Sequence, residues 1–243
     1  MLADAWDRPR LLDGIASLLY AVSTLLGLYL VFMLVIHLPV FPLREVHVHG
    51  ELRHVTRAQV ESLVRGQIHG NLFTADLDAV RRGFGTLPWV RRVEVRRVWP
   101  DRLEVSVEEH VALARWGGLG LVNTHGEVFA ADSDARLPLF VGPAGTSREI
   151  AERYLAFRAQ LAPLGLEPAQ VTMTARRAWE LRLADGLRVR LGREHIETRL
   201  ATLIDVYGHT VGPVAARLDY VDLRYPNGFA VRINQGRPRE GAS

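Results

Sequence analysis

Cysteine is absent from the 243-residue chain, and so is lysine: all 30 basic residues are arginine. Without cysteine there is no disulfide framework and no cysteine-bearing zinc site, so any exported part has to fold on packing alone. That fits an oxidising compartment without requiring one. Long blocks of one charge are missing too. The arginines alternate with Asp and Glu along most of the chain, and the net charge is only +3. A nucleic-acid surface needs basic residues clustered without compensating acids, and no zinc-finger or basic-helix pattern appears, so DNA and RNA are excluded as partners. The Gly117-Gly118-Leu119-Gly120 run lacks the Lys and Ser/Thr of a phosphate loop, and Gly83-Phe84-Gly85 does not extend to a dinucleotide fingerprint.

What the chain does have is one uncharged stretch, Gly14 to Ile36. As a helix of about 23 residues rising about 1.5 Å each, it reaches about 35 Å, enough to cross a bilayer core of about 30 Å with some tilt. A cleavable signal peptide has a shorter apolar core of about 7–15 residues and a small-residue cleavage site. Here the run leads instead into His37-Leu38-Pro39-Val40-Phe41-Pro42. Arg8 and Arg10 flank its start, and long domains cross membranes largely regardless of charge. The expected topology places the N-terminus in the cytoplasm and residues 37–243 outside it.

Beyond Pro39 and Pro42, which break the helix, Arg44–His49 alternates as a strand, with Val46 and Val48 on one face and Glu45, His47 and His49 on the other. Thr56 is placed to cap a helix carrying Val60, Leu63 and Val64, and Asp76 to cap a second one carrying Leu77, Val80, Phe84 and Leu87. Strands Val90–Val98 and Leu103–Val107 follow, joined by a Trp99-Pro100-Asp101-Arg102 turn. The order strand, helix, helix, strand, strand predicts a three-stranded sheet covered on one face by two helices.

A second region starts near Arg115-Trp116. Short strands are expected around Gly120–Asn123, Val128–Ala130 and Leu139–Val141. Thr146 and Glu149 have capping-box spacing before an amphipathic stripe of Ile150, Tyr154, Phe157 and Leu161. Strands are expected again at Val171–Thr174, Trp179–Leu183 and Leu187–Leu191, the last two joined at Asp185-Gly186. A helix from Glu194 to about Tyr207 comes next. Asp219–Tyr225 and Phe229–Ile233 then flank Pro226-Asn227-Gly228, a hairpin signal. Phe229, Val231 and Ile233 share one face of the last strand. Its outer edge has no successor in the chain, which makes it a candidate docking edge for another protein.

No catalytic constellation emerges. His47 and His49 share a strand face but have no third ligand at a recognisable spacing, so a solvated face is the better account. Ser106, between Val105 and Val107, is an ordinary strand residue rather than a nucleophile elbow. Carboxylate pairs such as Glu108-Glu109 or Asp132 and Asp134 fall where strands end or loops begin. The chain is therefore expected to be no enzyme and to need no cofactor, metal or small-molecule substrate.

Leu87-Pro88-Trp89-Val90, followed by Val93, Val95, Arg97, Trp99-Pro100-Asp101 and Leu103, resembles the second half of a POTRA domain. The chain as a whole resembles the FtsQ/DivIB family of bitopic bacterial cell-division proteins. Further matching segments are Ala112-Leu113-Ala114-Arg115-Trp116, Leu137-Pro138-Leu139-Phe140-Val141-Gly142-Pro143, Leu191-Gly192-Arg193 and Tyr220-Val221-Asp222-Leu223-Arg224-Tyr225. Each is weak alone; their order and spacing together are specific, and they cover the anchor and nearly all of residues 37–234.

The resemblance implies an α+β architecture: a cytoplasmic tail (1–13), one transmembrane helix (14–36), a linker (37–42), a POTRA domain (43–111), a larger mixed β domain with a C-terminal edge hairpin (112–234), and a flexible tail (235–243). It also implies a non-enzymatic divisome scaffold in the inner membrane at the septum, with a periplasmic ectodomain that binds FtsB and FtsL and helps control septal peptidoglycan synthesis. In the family, FtsB adds a strand to the last β-strand. Carried over, the contact set is Arg224, Tyr225, Asn227, Gly228, Phe229, Val231 and Ile233, with Arg193 and Arg57 as further candidates for acidic partner residues. Pro226 departs from the pattern because it lacks a backbone donor; Ile233 departs where some relatives carry an aromatic. The rival reading, a POTRA-type secretion or assembly factor, calls for repeated POTRA units and a barrel, neither of which the sequence shows.

Overall fold

The computed structural model describes residues 9–37, 43–67, 71–225 and 228–234. Helix α1 spans Pro9–His37. It starts before the uncharged run. Its Asp13–Val35 stretch is long and apolar enough to cross a membrane, and none of it is buried against the rest of the protein. The expected breakers Pro39 and Pro42 lie outside the described residues.

Contacts divide the chain into two compact units, meeting between Glu109 and His110. In the first, β1 (Glu45–His49), α2 (Arg57–Gln67), α3 (Leu77–Gly85), β2 (Val90–Val98) and β3 (Arg102–Glu109) follow in the expected order. The sheet order is β1-β3-β2, with β1 parallel and β2 antiparallel to β3. Alternation places Leu103, Val105 and Val107 of β3 inward and fully buried. Val105 and Val107 meet Val80 and Phe84 of α3 and Val60 of α2. The histidine-bearing face of β1 is solvated, His47 resting 3.0 Å from the Glu45 carboxylate. Among the described residues no group of three potential metal ligands occurs.

Both expected helix caps in this unit form. Thr56 Oγ1 accepts from the Gln59 N–H at 3.3 Å while Gln59 Oε1 accepts from the Thr56 N–H at 2.9 Å, the reciprocal arrangement of a capping box. Asp76 Oδ1 accepts from the Ala79 N–H at 2.9 Å. Glu109, at the end of β3, is a clamp that sequence spacing did not reveal. Its carboxylate accepts from the backbone N–H groups of Val55 (2.8 Å), Arg53 (3.1 Å) and His54 (3.1 Å), fixing the loop that leads into α2.

The second unit is one nine-stranded sheet. Its elements are β4 (Ala112–Trp116), β5 (Leu121–Asn123), β6 (Val128–Phe129), β7 (Leu139–Val141), α4 (Ser147–Leu161), β8 (Pro168–Met173), β9 (Trp179–Leu183), β10 (Arg188–Gly192), α5 (Ile196–Val206), β11 (Leu218–Asp222) and β12 (Ala230–Ile233). The strand order is β12-β11-β10-β9-β8-β7-β4-β5-β6. Two of its parallel pairs, β7 with β8 and β10 with β11, are crossovers through α4 and α5. Both run the same way across the sheet, and since such connections share one hand, both helices land on the same face. The stripe Ile150, Tyr154, Phe157 and Leu161 of α4 is buried there together with Leu200 and Leu203 of α5.

Several expectations are corrected. Ala112–Trp116, to which the sequence pattern assigns no element, is a strand, β4, that pairs with both β5 and β7. The Thr146–Glu149 box does not form: Thr146 Oγ1 donates to Pro143 O at 2.7 Å, and Glu149 pairs with Arg177 at 3.0 Å. Helix α5 starts at Ile196, not Glu194, because His195 is left-handed (φ 53°). The Asp185-Gly186 hairpin is real but its loop is wider than two residues. Gly186 N–H donates to Leu183 O, Leu183 N–H to Leu187 O, and Gly186 takes φ 88°, the pattern of a turn closed by a glycine bulge.

Candidate partner-docking edge

The last strand, β12, pairs on one side only. Its antiparallel register with β11 sets Ala230 opposite Asp222, Val231 opposite Val221 and Arg232 opposite Tyr220. Among the described residues no strand lies along its outer side, so alternate N–H and C=O groups of β12 point away from the sheet. Strand β11 stops at Asp222 and β12 starts at Ala230, with the expected Pro226-Asn227-Gly228 turn in the segment between them. Pro226 and Asn227 within it lie outside the described residues.

The apolar face of the sheet runs past its helix cover at this edge. Val221 is fully buried, yet Val231 directly opposite it is 47% exposed, and Ile233 is 58% exposed. Tyr225 adds a ring that is 58% exposed. Phe229 behaves differently: it is half-buried and packs against the core of the second unit. Of the two aromatics expected at the docking edge, one therefore supports the hairpin and the other is displayed.

Arg224 is held by its own protein. Its Nε donates to Asp222 Oδ1 at 2.8 Å and its Nη2 to Asp222 Oδ2 at 2.6 Å, while its backbone N–H donates to Oδ1 at 3.1 Å. Asp222 is 3% exposed, whereas the Arg224 side chain is 55% exposed. The side-chain bonds from Arg224 hold the Asp222 carboxyl below its usual range against the opposing effect of burial, and the same bonds raise the Arg224 pKa. Arg199 adds a second clasp, donating from Nη1 to Leu191 O at 2.6 Å. Between the two arginines sits Gly192 (φ 77°), where a Cβ would come within 2.7 Å of Arg199 Nη1 and 3.1 Å of Arg224 Cγ.

Asp222, Arg199 and Gly192 were missed as members of this site. Asp222 and Arg224 stand two apart in an extended segment and so share a side, a signal that was available. The contacts of Arg199 and Gly192 depend on how α5 lies over the sheet, which no local pattern encodes. Tyr225, Gly228, Phe229, Val231 and Ile233 gather on the hairpin beside Arg224. Arg193 is exposed and follows Gly192, its Nε 3.2 Å from Glu194. Arg57 belongs to the first unit, at the start of α2, with its Nε 3.1 Å from Glu61.

This arrangement suits strand addition: an edge open among the described residues, a displayed apolar patch, and hydrogen-bonded charged groups at the end of β11. The FtsQ/DivIB C-terminal family model matches residues 114–224, and the FtsQ-type POTRA domain model matches residues 41–110. The cell division protein FtsQ of Nitrosospira multiformis is 45% identical over 232 residues, covering 93% of this chain and 98% of that one. That of Burkholderia pseudomallei is 39% identical over 234 residues, covering 93% and 94%. That of Neisseria gonorrhoeae is 40% identical over 197 residues, covering 81% and 80%. With an apolar anchor, a POTRA unit and a mixed β unit in the matching order, the chain belongs to the FtsQ/DivIB family of cell division proteins.

Proposed function

We propose that this protein is a non-enzymatic, single-pass divisome scaffold of the inner membrane whose periplasmic part captures FtsB, together with FtsL, and so helps control septal peptidoglycan synthesis. A partner segment adds as a tenth strand along β12. The observation that carries this reading is the unpaired outer side of β12 lying beside the exposed Tyr225, Val231 and Ile233. Each added main-chain bond contributes only about 0.5–1.5 kcal/mol net, so a few of them need apolar anchors to reach useful affinity. Tyr225 supplies the ring, and Val231 and Ile233 extend the surface over which a partner side chain can be desolvated. Arg224, Arg193 and Arg57 bias the choice of partner toward acidic segments, acting more on specificity than on affinity.

The test is a titration of the membrane-reconstituted chain with a periplasmic FtsB segment. Backbone donors alternate along a strand, so one of Val231→Pro and Arg232→Pro removes an outward N–H. Tyr225→Ala and that outward proline each weaken binding about tenfold or more, as loss of a hot-spot aromatic or of an edge bond with its neighbours implies. Unchanged affinity in all three variants would place the docking surface elsewhere.

A further inference from the structure

The β2–β3 turn of the first unit carries the most exposed tryptophan among the described residues: Trp99, 74% accessible, whereas Trp116 and Trp179 are buried and Trp89 stacks on His54 at 3.5 Å. Trp99 contributes little to any core, and a displayed indole is an amphipathic ring of the kind that settles at membrane–water interfaces. Its position in the chain gives that exposure a direction. The Arg44 and Glu45 N–H groups both donate to Asp101 O, at 3.0 and 3.4 Å, and Glu45 is in register with Arg102. The turn is thereby fastened to the start of β1, with Arg44 seven residues after the end of α1.

From His37, the end of α1, to Arg44 are seven residue steps, which at full extension span at most about 25 Å. The headgroup zone on each side of a bilayer is about 5–8 Å deep. The linker therefore keeps the turn within about 25 Å of the end of α1, with the headgroup layer inside its reach, while the opposite end of the sheet, at His49 and Gly50, is a strand length further along the chain. Arg44, bonded to the turn through Asp101 O, and Arg102, three residues after Trp99, are exposed. Arg102 is held 3.1 Å from Glu45 and 3.9 Å from Asp101. Long arginine stems beside an interfacial ring can lie along the surface with their guanidinium groups in the headgroup layer.

We propose that Trp99, Arg44 and Arg102 form a second membrane contact, docking the β2–β3 turn into the headgroup layer of the bilayer that α1 crosses. The contact makes the first unit stand on the membrane with β1 and β3 rising from it, instead of swinging freely on its linker. It rests on α1 spanning the bilayer and is independent of the β12 reading.

The experiment uses the full chain in nanodiscs of phosphatidylethanolamine and phosphatidylglycerol, with acyl chains brominated near the headgroup. Subtracting the emission of Trp99→Phe from that of the wild type isolates Trp99; because the ring is exposed, this variant folds. Co-elution of the chain with the disc reports the anchor separately. The expected result is that the Trp99 component is quenched by brominated lipid and shielded from aqueous acrylamide. A Trp99 component that acrylamide quenches as freely as a solvated indole, with no effect of bromine, overturns the proposal. Shielding that arises only on adding an FtsB segment also overturns it, in favour of a protein contact.

Discussion

The pairing of Asp222 with Arg224 separates two roles for the arginine, holding the hairpin or meeting a partner carboxylate. Arg224 donates two side-chain bonds and one backbone bond to Asp222. Bonds to a charged group are worth about 1.5–3 kcal/mol each when sheltered. The Arg224 side chain is 55% exposed, so water competes for it, and the net side-chain contribution is scaled down to about 2 kcal/mol. Arg224→Ala leaves the buried carboxylate short of its partner and costs about 2–3 kcal/mol. Asp222→Asn keeps an acceptor oxygen but loses the charge, costing about 1–2 kcal/mol. Because the two groups touch, the double variant costs about 1–2 kcal/mol less than the sum. Urea unfolding of the reconstituted chain at neutral pH, followed by the buried tryptophans of the second unit, reads all three values. The sign with pH follows from the lowered Asp222 pKa. This stabilisation is present above the unfolded carboxyl pKa of about 3.9 and is lost as pH falls through the lower, folded value. Partner binding should fall in both single variants, since both loosen the hairpin. If Asp222→Asn changes neither stability nor binding while Arg224→Ala abolishes binding, the holding role is refuted and Arg224 is a direct contact.

The Glu109 clamp predicts a similar effect in the first unit. Burial works to raise its carboxyl pKa, but the N–H groups of Val55 and Arg53, then His54, outweigh it and hold the pKa below the usual value. Glu109→Ala leaves three backbone donors without their acceptor and should destabilise that unit by about 2–4 kcal/mol, seen as faster hydrogen exchange at Arg53, His54 and Val55. In the wild type the same protection persists above the unfolded glutamate pKa of about 4.3 and declines as pH drops through the folded one. Gly192→Ala places a Cβ against both Arg199 and Arg224 at a positive φ and should cost about 1–3 kcal/mol, with a matching loss of partner affinity. Intact stability in Gly192→Ala would show that the two arginines can move aside without loss.

Much of this was legible where one physical signal dominates. The strand–helix–helix–strand–strand order followed from alternation in β2 and β3 and from the Thr56 and Asp76 caps, all of which are local. Ala112–Trp116 was passed over as a strand because five residues give alternation little to work on, and its pairing with β7 joins distant segments. The Thr146 box failed because Pro143 O and Arg177, brought close by the fold, outcompeted the local bonds. At the candidate edge β12 is the end strand of the sheet among the described residues, and the strand itself could be foreseen from its alternation. The division of labour between Phe229 and Tyr225 could not, because it depends on where the helix layer stops covering the sheet.

An open strand beside an exposed apolar patch also invites self-association, and the edge itself limits that risk. Strand β12 is short, Ala230–Ile233, and carries Arg232 among its four residues, so a second copy pairing antiparallel would bring like charges close together. Short edges and charged residues are the usual protections of a free sheet edge. Helix α1 acts on capture instead. A tethered edge searches a surface rather than a volume, which raises its effective concentration toward other membrane-anchored chains without any new contact. A weak edge therefore suffices for a tethered partner, whereas a soluble peptide in bulk would need the full set of apolar anchors to bind as well. On this argument, binding to a tethered partner segment should tolerate loss of Tyr225 better than binding to the same segment free in solution. Equal losses in the two formats would mean that tethering contributes nothing to capture.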